Sequence, residues 1–184
     1  MHNATKALLA DSLIAMLEKK TLEKITVKDL VEDCGLTRQT FYNHFYDIYA
    51  LVEWIYLRET EKALAGNKDY DTWQQGFYQL LISIRKNKEL VRNTCRSTNR
   101  DSLERYMYAV IYDQILAVVE RQAAEMTVEQ KHKNFIAHFY SLAFIALIFE
   151  WIRDGMKEKP EDIVDQTAVL IKGDFEKALK KYAK

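Results

Sequence analysis

Apolar residues recur along this chain at spacings of three and four, and alternating apolar and polar runs are absent, so the pattern is helical throughout. One proline and five glycines in 184 residues leave little room for hairpins. The spacing predicts an all-α protein of about nine helices. Ala7, Leu8, Leu13, Ile14 and Leu17 form the stripe of the first, and Val27, Leu30, Val31 and Cys34 that of the second. Phe41 and Phe45 anchor a short third. Asp47 caps a fourth that runs to a stop at Gly66-Asn67, with Leu51, Val52, Ile55 and Leu64 along it. Residues 70–87 carry Trp73, Phe77, Leu80, Leu81 and Ile84 on one side, and residues 103–125 carry Leu103, Met107, Val110, Ile111 and Val118. Thr127 with Gln130 is spaced as a capping box. The most apolar run, 135–152, lies in a helix over about 133–155 that Gly155 ends and that is expected to be buried nearly all round. Pro160 opens a last helix over about 160–182.

Residues 25–51, ITVKDLVEDCGLTRQTFYNHFYDIYAL, hold the densest local signals. Thr26 is placed to cap a helix with Asp29 three residues on, and Gly35 is the residue best able to take the left-handed conformation of a sharp turn. Thr37 caps the next helix, and Leu36 stands at staple spacing from Phe41. The segment reads as a helix-turn-helix. With Phe41 and Phe45 inward, a helix of under three turns turns Arg38, Gln39, Thr40, Tyr42, Asn43 and His44 to solvent. Arginine forks onto guanine, Gln and Asn pair with adenine, and Tyr or His donates to phosphate. Acidic residues are scarce on this face.

The run T-V-K-D-L-x-x-x-x-G-L-T-R-Q-T-F-Y-N-H-F, most of all Thr40 to Phe45, resembles the DNA-binding domain of TetR-family transcriptional regulators. The resemblance implies a cytoplasmic, all-helical homodimer and a ligand-responsive regulator, taken here as a repressor on a pseudo-palindromic operator in double-stranded DNA. It implies that Arg38, Gln39, Thr40 and Asn43 face bases and that Thr26, Lys28, Tyr42 and His44 face phosphates. It places a DNA-binding domain at 1–52 and an effector-binding, dimerising domain at 53–184, with the boundary near Glu53 inside the fourth helix. One position departs from the family's pattern: Ile48 stands where many members carry a phosphate-contacting lysine. Residues 139–160 resemble, more loosely, a subgroup that includes regulators of dihydroxyacetone-kinase operons.

Charge changes this picture. The chain is neutral, with 27 basic and 27 acidic residues, and its first fifty residues carry six basic against seven acidic side chains. A DNA binder is expected to show a basic footprint. The alternative is therefore a co-regulator of the same fold that acts through a protein partner and binds DNA weakly. Residues 85–105 hold seven basic against three acidic side chains, which we read as a solvated helix and loop.

Two cysteines without a CxxC partner fit a reduced, cytoplasmic chain, and no signal sequence is visible in the charged first twenty residues. His138, Ser141 and Glu150 interrupt the apolar run, so no membrane span is expected. No histidine pair, phosphate loop or nucleophile elbow is present, so no metal, no cofactor and no enzyme activity is expected. An unknown small-molecule effector would have Trp73, Tyr106, Tyr112, His138, Phe139 and Phe144 as candidate pocket residues. Aromatics at helical spacing are more often plain core. Homodimerisation is expected through the two C-terminal helices.

Overall fold

The computed structural model describes residues 2–65, 73–97 and 100–183, and among these it contains α-helices and no strands. The helices are α1 (His2–Leu17), α2 (Val27–Asp33), α3 (Arg38–Tyr42), α4 (Ile48–Ala65), α5 (Trp73–Lys86), α6 (Lys88–Arg96), α7 (Arg100–Gln122), α8 (Gln130–Arg153), α9 (Pro160–Ile171) and α10 (Asp174–Tyr182), with a 3-10 turn at Leu22–Lys24 before α2. The expected stop at Gly66-Asn67 and the expected start at Tyr70 lie outside the described residues, as does the side chain of Leu64.

Two compact units divide the chain. The first comprises the described residues within 1–62 and 86–103. Its core is Leu9, Leu13 and Leu17 of α1, Leu30 and Val31 of α2, Phe41 and Phe45 around α3, Leu51, Val52 and Ile55 of α4, and Leu90 and Val91 of α6. The stripe of α1 is rotated from expectation: Leu8 is exposed, Ile14 is half-buried, and Leu9, Ala10 and Leu13 point inward. Four consecutive apolar residues, 7–10, leave the phase of that helix undetermined by pattern alone.

Helix α6 joins this unit through specific bonds as well as through packing. Tyr56 Oη donates to Thr94 Oγ1 (2.9 Å), which in turn donates to the Leu90 carbonyl (3.0 Å), all of it buried. The Leu22 backbone N–H donates to Asn93 Oδ1 (3.2 Å). These bonds carry the unit past residue 52. Arg96 and Arg100 stand exposed, as a solvated basic segment should, while Arg92 pairs with Glu89 at 3.5 Å.

The second unit comprises the described residues within 63–85 and 104–184. Phe77, Leu81 and Ile84 of α5, Met107, Ile111, Ile115 and Val119 of α7, Phe144, Ile145, Ile148 and Trp151 of α8, Ile163 and Val164 of α9, and Phe175 and Leu179 of α10 are buried in it. Gly155 ends α8, where the Met156 N–H returns to the Trp151 carbonyl (2.8 Å), and Pro160 begins α9.

Three expectations fail in this unit. No capping box forms at Thr127. The N-cap of α8 is Glu129, without a side-chain cap bond, and Gln130 instead donates to Glu120 (3.2 Å) and Asn134 (2.9 Å). Burial of Val128 sets how the chain enters the helix. The last helix is broken, because Gly173 adopts φ +76° and starts α10 afresh. Finally, α8 is not buried all round: Phe135 (59% exposed), Phe139 (57%), Leu142 and Leu147 lie on its open side. By length and composition alone α8 could cross a bilayer, but 44% of its apolar window is packed inside the fold.

Gly35 takes φ +64°, and a Cβ built there would meet nothing within 4 Å. The cost of a side chain at this turn is therefore conformational, not steric. Gly35→Ala should destabilise by about 1–2 kcal/mol and Gly35→Asn by less. Phe41→Ala should cost about 3–5 kcal/mol. Urea-denaturation midpoints check both.

Candidate nucleic-acid interface

The helix-turn-helix is built from two side-chain caps and one turn. Thr26 Oγ1 accepts from the Asp29 N–H (3.1 Å), while Asp29 Oδ2 accepts from the Thr26 N–H (2.8 Å) and the Thr26 hydroxyl (2.8 Å), the reciprocal pair of a capping box. The Leu36 N–H closes the end of α2 on the Val31 carbonyl (2.7 Å) across left-handed Gly35. Thr37 Oγ1 then accepts from the Thr40 N–H (3.1 Å) and starts α3.

Helix α3 is shorter than the pattern suggested. It spans five residues, and Asn43 and His44 lie in the closing turn, where the Phe45 N–H still reaches the Phe41 carbonyl (3.0 Å). Phe41 is fully buried, with ring centroids 5.8 Å from Phe45 and 5.5 Å from Tyr42. Phe45 in turn meets Trp54 of α4 edge-on at 6.1 Å, with the Lys6 ammonium 5.4 Å from its centroid. These contacts fix which way α3 faces.

Facing solvent are Arg38, Gln39, Tyr42 and Asn43. Gln39 Nε2 donates to Asn43 Oδ1 (3.0 Å), so the two amides are linked one turn apart. Gln39 keeps a second N–H and its carbonyl oxygen, the donor-acceptor pair that the major-groove edge of adenine requires. Thr40 is only half-exposed, and its hydroxyl lies 2.9 Å from that of Thr37. His44 is half-buried against Phe45, with centroids 6.4 Å apart, where full exposure was expected. Of the phosphate candidates, Thr26 already donates its hydroxyl proton to Asp29, Lys28 is exposed and 3.7 Å from Glu32, and Tyr42 is exposed.

Sequence reasoning missed Tyr46, which is 75% exposed just beyond the closing turn. The available signal was its place: Phe45 is inward, so the next residue steps out. Ile48 is half-buried at the start of α4, whose cap is Asp47 Oδ1 accepting from the Ala50 N–H (2.8 Å). The charge deficit of the first fifty residues disappears when the compact unit is taken whole. It holds thirteen basic and twelve acidic side chains, because residues 86–103 add five cations and two acids.

The candidate effector residues make two groups of ring contacts. Trp73 packs with Phe77 and Phe144 (5.3 Å from Trp73 to Phe144, 4.5 Å from Phe77 to Phe144). Tyr112 stacks on Tyr108 at 5.6 Å. His138 is exposed, not core, with its Nδ1 2.8 Å from the Tyr108 hydroxyl. Tyr106 is half-buried and Phe139 lies on the open side of α8. Of the six, Trp73 lines a groove of this unit. No cluster of three metal-ligating groups occurs among the described residues.

A capped two-helix motif, an outward amide-bearing face and a second, larger helical unit define the class of helix-turn-helix regulators. Comparison with known proteins narrows this. Residues 71–173, more than half of the chain, match the family model for the C-terminal region of TetR-type transcriptional regulators. The chain is 25% identical over 174 residues to the HTH-type dhaKLM operon transcriptional activator DhaS of Lactococcus lactis, covering 83% of this chain and 84% of that one. It is 19% identical to the uncharacterized HTH-type transcriptional regulator YxbF of Bacillus subtilis, over 93% of this chain but only 46% of that protein. Among solved structures, the dihydroxyacetone kinase operon activator DhaS superposes with a TM-score of 0.75 at 21% identity, covering 98% of each chain. A TetR-family regulator from Rhodococcus superposes at 0.57 with 17% identity, covering 97% of each. This protein belongs to the TetR family of transcriptional regulators and is related to its DhaS subgroup.

The capping box carries a pH signature. Hydrogen bonds from the Thr26 backbone and hydroxyl, aided by Lys20 and Lys28, hold the Asp29 carboxyl below its ordinary value. A depressed carboxylate stabilises the fold above its ordinary pKa, and that contribution is lost as pH falls through the lowered value. Thr26→Ala should destabilise by about 1 kcal/mol at neutral pH. The difference from wild type should shrink on acidification, as measured by urea melts at several pH values.

Proposed function

We propose that this regulator acts as a homodimer that reads a pseudo-palindromic DNA site through the outward face of α3. The observation that carries this is the pinning of α3 by Phe41 and Phe45, which leaves Arg38, Gln39, Tyr42 and Asn43 to solvent. Arg38, Gln39 and Asn43 would contact base edges, with Thr40 able to join them once its hydroxyl leaves Thr37. Lys28, Tyr42 and Tyr46 would contact phosphates, and Tyr46 would compensate for Ile48. Thr26 would serve first as a cap, and half-buried His44, packed on Phe45, would reach a phosphate only from the closing turn. The near balance of charge in the first unit implies modest non-specific affinity and a shallow salt dependence.

The exposed stripe Phe135, Phe139, Leu142 and Leu147 supports dimerisation through α8, with α9 beside it, since a monomer rarely leaves so large an apolar strip wet. The two reading heads would then span successive major grooves about 34–36 Å apart. An effector bound in the second unit would act by preferring one of two dimer states. The relative DhaS is an operon activator. The architecture therefore serves activation as well as repression, and we propose DNA binding without fixing the sign. The protein would work in the cytoplasm, where burial that pushes the Cys95 thiol up to about 11 keeps it an inert, reduced side chain.

Selection from random duplexes at moderate salt should enrich an inverted repeat, and absence of enrichment would favour a co-regulator acting through a protein partner. On the selected site, Arg38→Ala and Asn43→Ala should each cost about 1–3 kcal/mol and relax base preference at one position. Tyr42→Phe and Tyr46→Phe should weaken all sequences alike. Phe139→Glu should give monomers in sedimentation.

A further inference from the structure

Within the second unit, α5, α7, α9 and α10 surround a groove of about 540 Å³ that the reading of α3 does not use. Trp73 and Phe175 supply aromatic surface to its wall, and Gln74, Asp165, Lys172 and Glu176 supply its polar groups. Among the described residues, Asp165 and Lys172 leave one unpaired charge of each sign on this wall. Glu176 is engaged by Lys180 on the next turn. Asp165 is exposed, and among the described residues its carboxylate has neither a hydrogen bond nor an ion pair, with Lys172 or with any other cation. Helix α9 ends at Ile171 in the same wall, so its negative C-terminal end also faces this region.

Gln74 adds a second, independent sign. Its Oε1 is buried and, among the described residues, accepts no hydrogen bond. Buried acceptors are nearly always satisfied, and one left alone calls for a donor. The last torsion of glutamine is soft, so the amide can turn toward a donor that enters the groove. An unpaired carboxylate, a donor-less amide oxygen, a helix C-terminus and an indole face favour a cationic guest, against the Lys172 ammonium and the N-terminal end of α10 at Gly173.

We propose that this groove binds an organic ammonium ion, a primary amine on a short apolar chain. Its N–H groups would be shared between the Asp165 carboxylate and Gln74 Oε1, and its chain would lie against Trp73 and Phe175.

The test uses the full chain and three probes of equal length: n-butylammonium, n-butanol and butyrate. Binding is followed by saturation-transfer NMR and by thermal shift. Butylammonium should bind wild type in preference to the other two. It should bind Asp165→Asn about tenfold more weakly, the loss expected for one charge-assisted hydrogen bond. Gln74→Leu should weaken it less. Asp165 is exposed, so its substitution leaves the fold intact. Equal binding to wild type and Asp165→Asn, a preference for butyrate, or no binding of butylammonium would overturn the assignment. No DNA enters the assay, so its failure leaves the reading of α3 untouched.

Discussion

The interaction on which the candidate interface depends is the burial of Phe41. A five-residue helix has no stability of its own, since a single turn costs more in chain entropy than its hydrogen bonds return. What holds α3 is tertiary: Phe41 and Phe45 fill the core between α2 and α4, and the Thr37 cap and the Gly35 turn fix the approach. Because the two rings take one side of a short cylinder, the opposite side is dictated as well. Gln39 and Asn43 lie outward as a geometric consequence of where the phenylalanines went.

Helix α6 shows how the same unit settles its charge and its extent. Its apolar side, Leu90 and Val91, packs into the unit, while Asn93 and Thr94 bond to the Leu22 turn and to Tyr56. Its outer side carries Lys88, Arg92 and Arg96 against Glu89. A segment distant in sequence thus brings the basic excess that the first fifty residues lack, and the electrostatic objection to DNA binding weakens once the unit is defined by contacts.

Much of this was legible in the sequence. Caps and turns are local, so Thr26 with Asp29, Gly35, Thr37, Asp47 and Pro160 could be read directly from neighbouring residues. Phases and breaks set by tertiary packing were not. Leu8 and Leu9 compete for one inward position, and only neighbouring helices decide between them. Gly173 looks like any tolerated helical glycine until the docking of Phe175 and Leu179 requires a new helix axis. The same holds for the aromatic candidates: spacing cannot tell Phe144, buried against Phe77, from Phe139 on the open face of the same helix. His44 was misjudged for a related reason, since α3 ends before reaching it.

The central claim is that a duplex meets this chain on the outer side of α3 and the amino-terminal end of α2. Amide hydrogen exchange with and without a bound duplex tests it most directly. The account predicts slowed exchange at residues 26–28 and 38–46 on binding. Protection that appears elsewhere while those two segments exchange as in the free protein would contradict it.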